Sequence, residues 1–232
     1  MEQSNIAPHQ GVYIGIRGEQ FSQFLRDLFT TSGIDEQYIE AMLSPDNIHL
    51  FERAFTSGRV IGREFNYEPL EQIGDAFMTA FIVQYLYSRF PILKCSEGVK
   101  VVARLRINLV SKSSFSRIAN DIGLFPYITA LEQNRIEQEK DGKDSLAEDV
   151  FEALMGAICD FMDSHYGIGT GYAQVYKILG TIFDSMNITI KYEDLYDSIT
   201  RLKEVGDMYD PAVSGHGQGQ TAKMRMLQVR HF

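Results

Sequence analysis

Two pairs of carboxylates stand at helical spacing in this sequence. Glu71 and Asp75 lie four residues apart in PLEQIGDAF, and Asp149 and Glu152 lie three apart in EDVFEALMGA. On a helix each pair shares one face, with Cβ atoms about 5–6 Å apart. Like charges at that spacing cost an exposed helix about 0.2–0.5 kcal/mol, and more when partly buried. A divalent cation removes the penalty, because Mg²⁺ takes carboxylate oxygens and water in an octahedron. Four carboxylates from two facing helices can hold one or two such ions. Two ions about 3.5–4 Å apart would activate water and stabilise both oxygens of an in-line phosphoryl displacement. The plainer alternative is that each pair is a solvated acidic face. Both pairs, however, sit among apolar and small residues. Gly74 and Ala76 flank the first, and Ala153, Gly156 and Ala157 the second. Such residues permit a close helix approach, although ordinary helix packing uses them in the same way.

Other chemistry has weaker support. The five histidines, His9, His49, His165, His216 and His231, form no HExxH or paired spacing, and no glycine-rich phosphate loop follows a strand. Cys95 and Cys159 form no CxxC pair, so neither a disulfide framework nor a zinc knuckle is indicated, and a reducing, cytoplasmic setting is the expectation. Cys159 reads as a core residue.

The acidic pairs need helices to carry them. The segment 67–90 is apolar around much of its circumference and stops at Pro91, which marks a buried central helix. Ser145-Leu-Ala-Glu148 has the form of a capping box and opens a second helix, expected to run to about 164. Phe21, Phe24, Leu25, Leu28 and Phe29 follow the periodicity of one helix face. Tyr38 and Met42, then Ile48, Phe51 and Phe55, continue the theme. Further helices are expected at 99–110, at 113–122 before Gly123, and at 172–186 after a break at Gly167, Gly169 and Gly171. The polar run EQNRIEQEKDGKD reads as a loop or frayed helix end. The fold class expected is all-α, followed by a small α+β tail.

Composition is that of an ordinary globular chain: 232 residues, 44% hydrophobic and 23% charged. The longest apolar stretch, 76–87, is too short to span a bilayer, and the N-terminus has neither a basic nor an apolar leader region. A net charge of −9 argues against a non-specific polyanion binder. Charge is unevenly spread, however. Residues 98–120 carry Lys100, Arg104, Arg106, Lys112 and Arg117 and no acid, whereas 132–160 carry nine acids and three bases. A basic stretch near an acidic one suits a protein that holds a polyanion against metal ions, and it also suits a solvated surface.

The ordered motifs carry a family resemblance. NYEPLEQIGDA at 66–76 resembles the signature of the ribonuclease III family, and SLAEDVFEALMGAI at 145–158 resembles its second acidic motif. AFTS at 54–57, LYSRFP at 86–91 and LRINLVSKSSFSRIANDIGL at 105–124 fall in the family's order, so the likeness covers about 20–186. The resemblance implies a helical endonuclease domain that cleaves double-stranded RNA with Mg²⁺, or Mn²⁺ as a substitute. It implies 5′-phosphate and 3′-hydroxyl ends and a homodimer with two active sites. Carried over by position, Glu71, Asp75, Asp149 and Glu152 are the metal ligands and catalytic acids, and Glu68 matches a secondary acidic position. The basic residues of 98–120 are the candidate RNA contacts. The competing reading is a non-catalytic double-stranded-RNA binder that sequesters its ligand.

Three positions depart from the pattern. Pro69 stands where the family has a basic residue. It falls in the first helical turn if Asn66 is the N-cap, where its missing amide costs little. Gln72 replaces an aromatic residue that in the family plugs into the partner subunit, so the dimer is expected to use different contacts or to be weaker. Ile73 for Leu or Val is conservative. The tail resembles the opening of a double-stranded-RNA-binding domain, with SITRLKEVGDMYDPAV as its first helix and GQTAKMRMLQV as its second strand. The family module's third strand and lysine-rich final helix are missing from it, and an unrelated extension is the alternative. The domain division expected is an N-terminal extension at 1–19, the endonuclease domain at 20–190 and the partial RNA-binding module at 191–232.

Overall fold

Helices that are apolar on nearly every side can only be stable at the centre of a domain, and the acid-bearing segment 145–166 takes that place; the segment 68–89, expected to be buried all round, buries one face through Leu70, Gly74, Met78, Phe81 and Ile82 and leaves Gln72, Asp75 and Gln84 exposed. The computed structural model describes residues 11–60, 65–141 and 145–190. Nine α-helices occur among them: α1 Glu19–Thr31, α2 Glu36–Met42, α3 Ile48–Ala54, α4 Glu68–Arg89, α5 Ser96–Leu109, α6 Lys112–Asp121, α7 Glu132–Asp141, α8 Ser145–Tyr166 and α9 Thr170–Asp184. The one sheet among the described residues pairs β1, Val12–Tyr13, antiparallel with β2, Ala130–Leu131. The expected all-α class is what the chain adopts. The C-terminal module expected at 191–232 and the Ser145 side chain of the capping box lie outside the described residues.

Helix α8 is the axis of the domain. Every residue from 150 to 159 is buried, and the helix packs most extensively on α4, then on α9 and α6. The α4–α8 contact is the closest. A Cβ built on Gly74 would strike the Glu152 carbonyl oxygen, and one built on Gly156 would strike the Leu70 carbonyl oxygen. The two backbones therefore touch at a pair of facing glycines. Aromatic edges fill the flanks: Phe115 of α6 meets Phe151 of α8 at 5.9 Å between ring centroids, and Phe81 of α4 meets Phe183 of α9 at 5.5 Å. Such pairs contribute roughly 0.5–1.5 kcal/mol each beyond their buried area.

The polar run at 132–141 is helix α7, not the loop or frayed end expected. It lacks an apolar stripe, which is why periodicity misses it. Its Glu, Gln, Arg and Lys residues are good helix formers, and propensity decides where packing does not. Gly171, expected to break the chain, lies inside α9, whose N-cap is Gly169 at a φ of 93°. Residues 11–17, expected as an extension, are tied to the domain. Besides the β1–β2 pairing, the Arg17 guanidinium donates to the Tyr127 carbonyl at 2.5 Å and to Thr129 Oγ1 at 2.9 Å. Thr129 in turn exchanges backbone hydrogen bonds with Phe55 and Ser57, both at 2.9 Å. This fixes the short loop at 57–59 beside the start of α4.

Candidate active site

The N-terminal parts of α4 and α8 flank a cleft of about 820 Å³, and Glu71, Asp75, Asp149 and Glu152 all line it. Their convergence follows from the glycine crossing. Glu71 and Asp75 bracket Gly74 on α4, and Asp149 and Glu152 precede Gly156 on α8. With the two backbones in contact at this point, the acids around the crossing come to one cleft.

The N-terminus of α4 is built much as expected. The cap position is Tyr67 rather than Asn66, but Asn66 Oδ1 still accepts the Glu68 N–H at 2.8 Å, and Pro69 falls in the first turn. Glu68 is exposed and lines the mouth of the cleft. Gln72 is exposed and also lines it.

Four polar or charged residues of the cleft escape the sequence reading of the site. Glu148 looks in sequence like a cap residue only, yet it is 6% exposed and lines the cleft. Its signal was the i, i+4 spacing to Glu152. Tyr67 is 8% exposed, and its phenol donates to Asp149 Oδ2 at 2.8 Å. Nothing in sequence announces a contact across 82 residues. Ser57 and Arg59 enter from the loop ahead of α4. Of the five basic residues expected to meet RNA, Lys112 reaches the cleft, where its ammonium stands 3.4 Å from Glu148 Oε2. Lys100, Arg104, Arg106 and Arg117 do not line it.

The charges in the cleft oppose one another. Burial first, then Asp149, Glu148 and Glu68, push the Glu71 carboxyl up to about 7. Burial and then Glu148, Asp75, Glu71 and Asp149 push Glu152 up to about 8. Glu148 and Asp149 are also raised by burial, with Lys112 pulling both back and the Tyr67 hydroxyl pulling Asp149 back. The Tyr67 phenol is driven far above its usual value by burial and by Asp149, so it stays a neutral donor. These directions are what a site short of positive charge produces.

No group of three or more His, Cys, Asp or Glu side chains among the described residues is arranged to hold a metal ion as it stands. The donor chemistry nevertheless fits a hard divalent cation. Carboxylate oxygens dominate the lining, and Glu148 Oε2 is buried without a hydrogen-bond partner. Lys112 forms an ion pair with that oxygen at 3.4 Å. A divalent ion would supply the charge that the carboxyls otherwise recover by protonation.

Comparison with known proteins agrees with this arrangement. Residues 68–160 match the family model of the Ribonuclease III domain. A relative in Invertebrate iridescent virus 6, named as a provisional ribonuclease 3, is 36% identical over 206 residues, covering 84% of this chain and 68% of its own. A second, named in the same way in Frog virus 3, is 37% identical and covers 78% of this chain and 48% of its own. Ribonuclease 3 of Aliarcobacter butzleri is 33% identical over 61% of this chain and 59% of its own. The chain thus spans between about half and two thirds of the length of these relatives. With the family motifs on the two crossing helices and their acids in one cleft, the chain belongs to the ribonuclease III family and carries its endoribonuclease domain.

Proposed function

We propose that this chain is a Mg²⁺-dependent endoribonuclease that cuts double-stranded RNA and leaves 5′-phosphate and 3′-hydroxyl ends. The observation that carries the reading is the convergence of the two family acid pairs on one cleft from two helices in backbone contact. Glu71, Asp75, Asp149 and Glu152 are the ligands, with Glu68 at the mouth in a secondary role. Bound divalent ions, with Mn²⁺ as a substitute for Mg²⁺, supply Lewis-acid activation of water and charge neutralisation at the phosphate. The protein's own part is to fix the carboxylates, hold the phosphodiester against them and keep the RNA backbone in register. Lys112 and Arg59 at the cleft offer positive charge to that backbone. This local charge matters in a chain whose net charge is −9.

The proposal extends to a cytoplasmic homodimer and to the division into residues 1–19, 20–190 and 191–232, with the last as a partial RNA-binding module. The family resemblance supports the homodimer and the endonuclease segment, and the first segment is joined to that domain through β1 and Arg17. Gln72, exposed on α4, offers the partner subunit a polar amide in place of a ring. No helix among the described residues is long and apolar enough to cross a membrane.

The test is cleavage of labelled duplex RNA in Mg²⁺, in Ca²⁺ and in EDTA. Short products are expected in Mg²⁺ alone, with single-stranded RNA of the same sequence left intact. Equal cleavage in EDTA would contradict the metal requirement. Duplex binding without cleavage in any cation would favour sequestration.

A further inference from the structure

One contact in the cleft joins the two acid-bearing helices directly through side chains. Tyr67 stands at the N-cap of α4, and its hydroxyl donates to Asp149 Oδ2 on α8 at 2.8 Å. The backbone of Tyr67 is held from both ends. The Tyr67 N–H donates to the Thr56 carbonyl at 3.0 Å, and the Tyr67 carbonyl accepts the Leu70 and Glu71 N–H groups, each at 2.9 Å. The residue is 8% exposed, so the phenol has little freedom to swing away. The hydroxyl is thus fixed by the same backbone turn that starts the helix carrying Glu71 and Asp75.

We infer that Tyr67 is a positioning residue for Asp149, whose hydroxyl holds one carboxylate oxygen so that the other is presented to a divalent cation in a fixed orientation. The inference rests on the metal-dependent reading proposed above. The chemistry is that of an outer partner orienting a ligand. A carboxylate hydrogen-bonded at one oxygen loses rotational freedom about its Cβ–Cγ bond before the ion arrives, so less ordering is left to oppose binding. A phenol suits the task because it donates one hydrogen bond and carries no charge that would compete with the cation. Lys112 and Arg59 also pull on Asp149 through their charge, and Lys112 is exposed and pairs with Glu148.

Tyr67→Phe removes the oxygen and leaves the ring. Mg²⁺ binding to the metal-free protein is followed by titration calorimetry, beside thermal melting in EDTA and duplex cleavage across a Mg²⁺ series. For Tyr67→Phe a Mg²⁺ Kd about 10–100-fold weaker is expected. Its melting temperature in EDTA should stay near that of the parent, and raised Mg²⁺ should recover much of the cleavage rate. Asp149→Asn combined with Tyr67→Phe should bind Mg²⁺ no more weakly than Asp149→Asn alone, because the hydroxyl acts through that carboxylate. Parent-like Mg²⁺ affinity in Tyr67→Phe overturns the inference while leaving the metal reading intact. Losses that multiply in the double variant also overturn it. A parent protein that binds no Mg²⁺ at millimolar concentration overturns both.

Discussion

Replacing Glu152 by glutamine is expected to abolish duplex cleavage while the fold and Mg²⁺-independent RNA binding survive. Glu152 sits among the cleft acids, 7% exposed, and burial and then four other carboxylates raise its own carboxyl to about 8. Glutamine keeps the shape and removes the charge. As a ligand it loses an anionic oxygen, and a loss on the order of 10³-fold or more in rate follows from removing several kcal/mol of transition-state stabilisation. In the metal-free state the same change relieves repulsion, so the melting temperature of Glu152→Gln in EDTA at pH 8.5 should equal or exceed that of the parent. Cleavage at the parent's rate would show that the site assignment is wrong. A lost fold would show that Glu152 is structural.

The second large effect concerns the crossing that brings the acids together. Gly156→Ala puts a methyl group against the Leu70 carbonyl oxygen, and Gly74→Ala puts one against the Glu152 carbonyl oxygen. The obstacles are backbone atoms, so the helices must separate rather than a side chain turn aside. Overpacking of this kind costs about 1–3 kcal/mol, or roughly 2–12 °C in Tm for a domain of this size. Separation also moves each acid pair from its partner, and a displacement of about 1 Å can cost ~10²-fold in rate. The control is Gly180→Ala on α9, where an added Cβ meets nothing within 4 Å. That variant should match or slightly exceed the parent's stability, since alanine favours a helix interior by about 0.5–1 kcal/mol. Parent-like melting and cleavage in both crossing variants would contradict the close-contact geometry.

These residues also show what sequence can and cannot disclose. Helices α4 and α8 were legible because they are long and apolar on most sides, a pattern with one physical solution. Glu71, Asp75, Asp149 and Glu152 were legible because helical spacing fixes which side chains share a face. Gly74 and Gly156 were visible as small residues, but their direct opposition depends on the register of one helix against another, which no local pattern encodes. Glu148 had a local explanation as a cap, and that reading hid its i, i+4 relation to Glu152. Tyr67 and Arg59 act through tertiary contacts alone. The basic residues of 98–120 share a segment but not a direction. Helix geometry sends Lys112, at the start of α6, to the cleft and leaves Lys100, Arg104, Arg106 and Arg117 away from it. Helix α7 exposes the converse gap, a helix without an apolar stripe in its sequence.

The central proposition is that the cleft holds carboxylates that only a divalent cation makes tolerable, and thermal melting as a function of pH and Mg²⁺ tests it most directly. Glu71 and Glu152 have carboxyls raised to about 7 and about 8 in the folded protein, against about 4.3 when unfolded. Between these limits the native state holds more protons than the unfolded chain, so stability is full below pH 4 to 5 with respect to this pair and falls as pH rises through 7 and 8. The loss is on the order of 2–4 kcal/mol after discounting solvent screening at the half-exposed Glu71. The account predicts that in EDTA the Tm falls several degrees from pH 5.5 to 8.5, and that millimolar Mg²⁺ restores it at pH 8.5 with little effect at pH 5.5. A Tm at pH 8.5 that ignores Mg²⁺, and equals the value at pH 5.5, would contradict it.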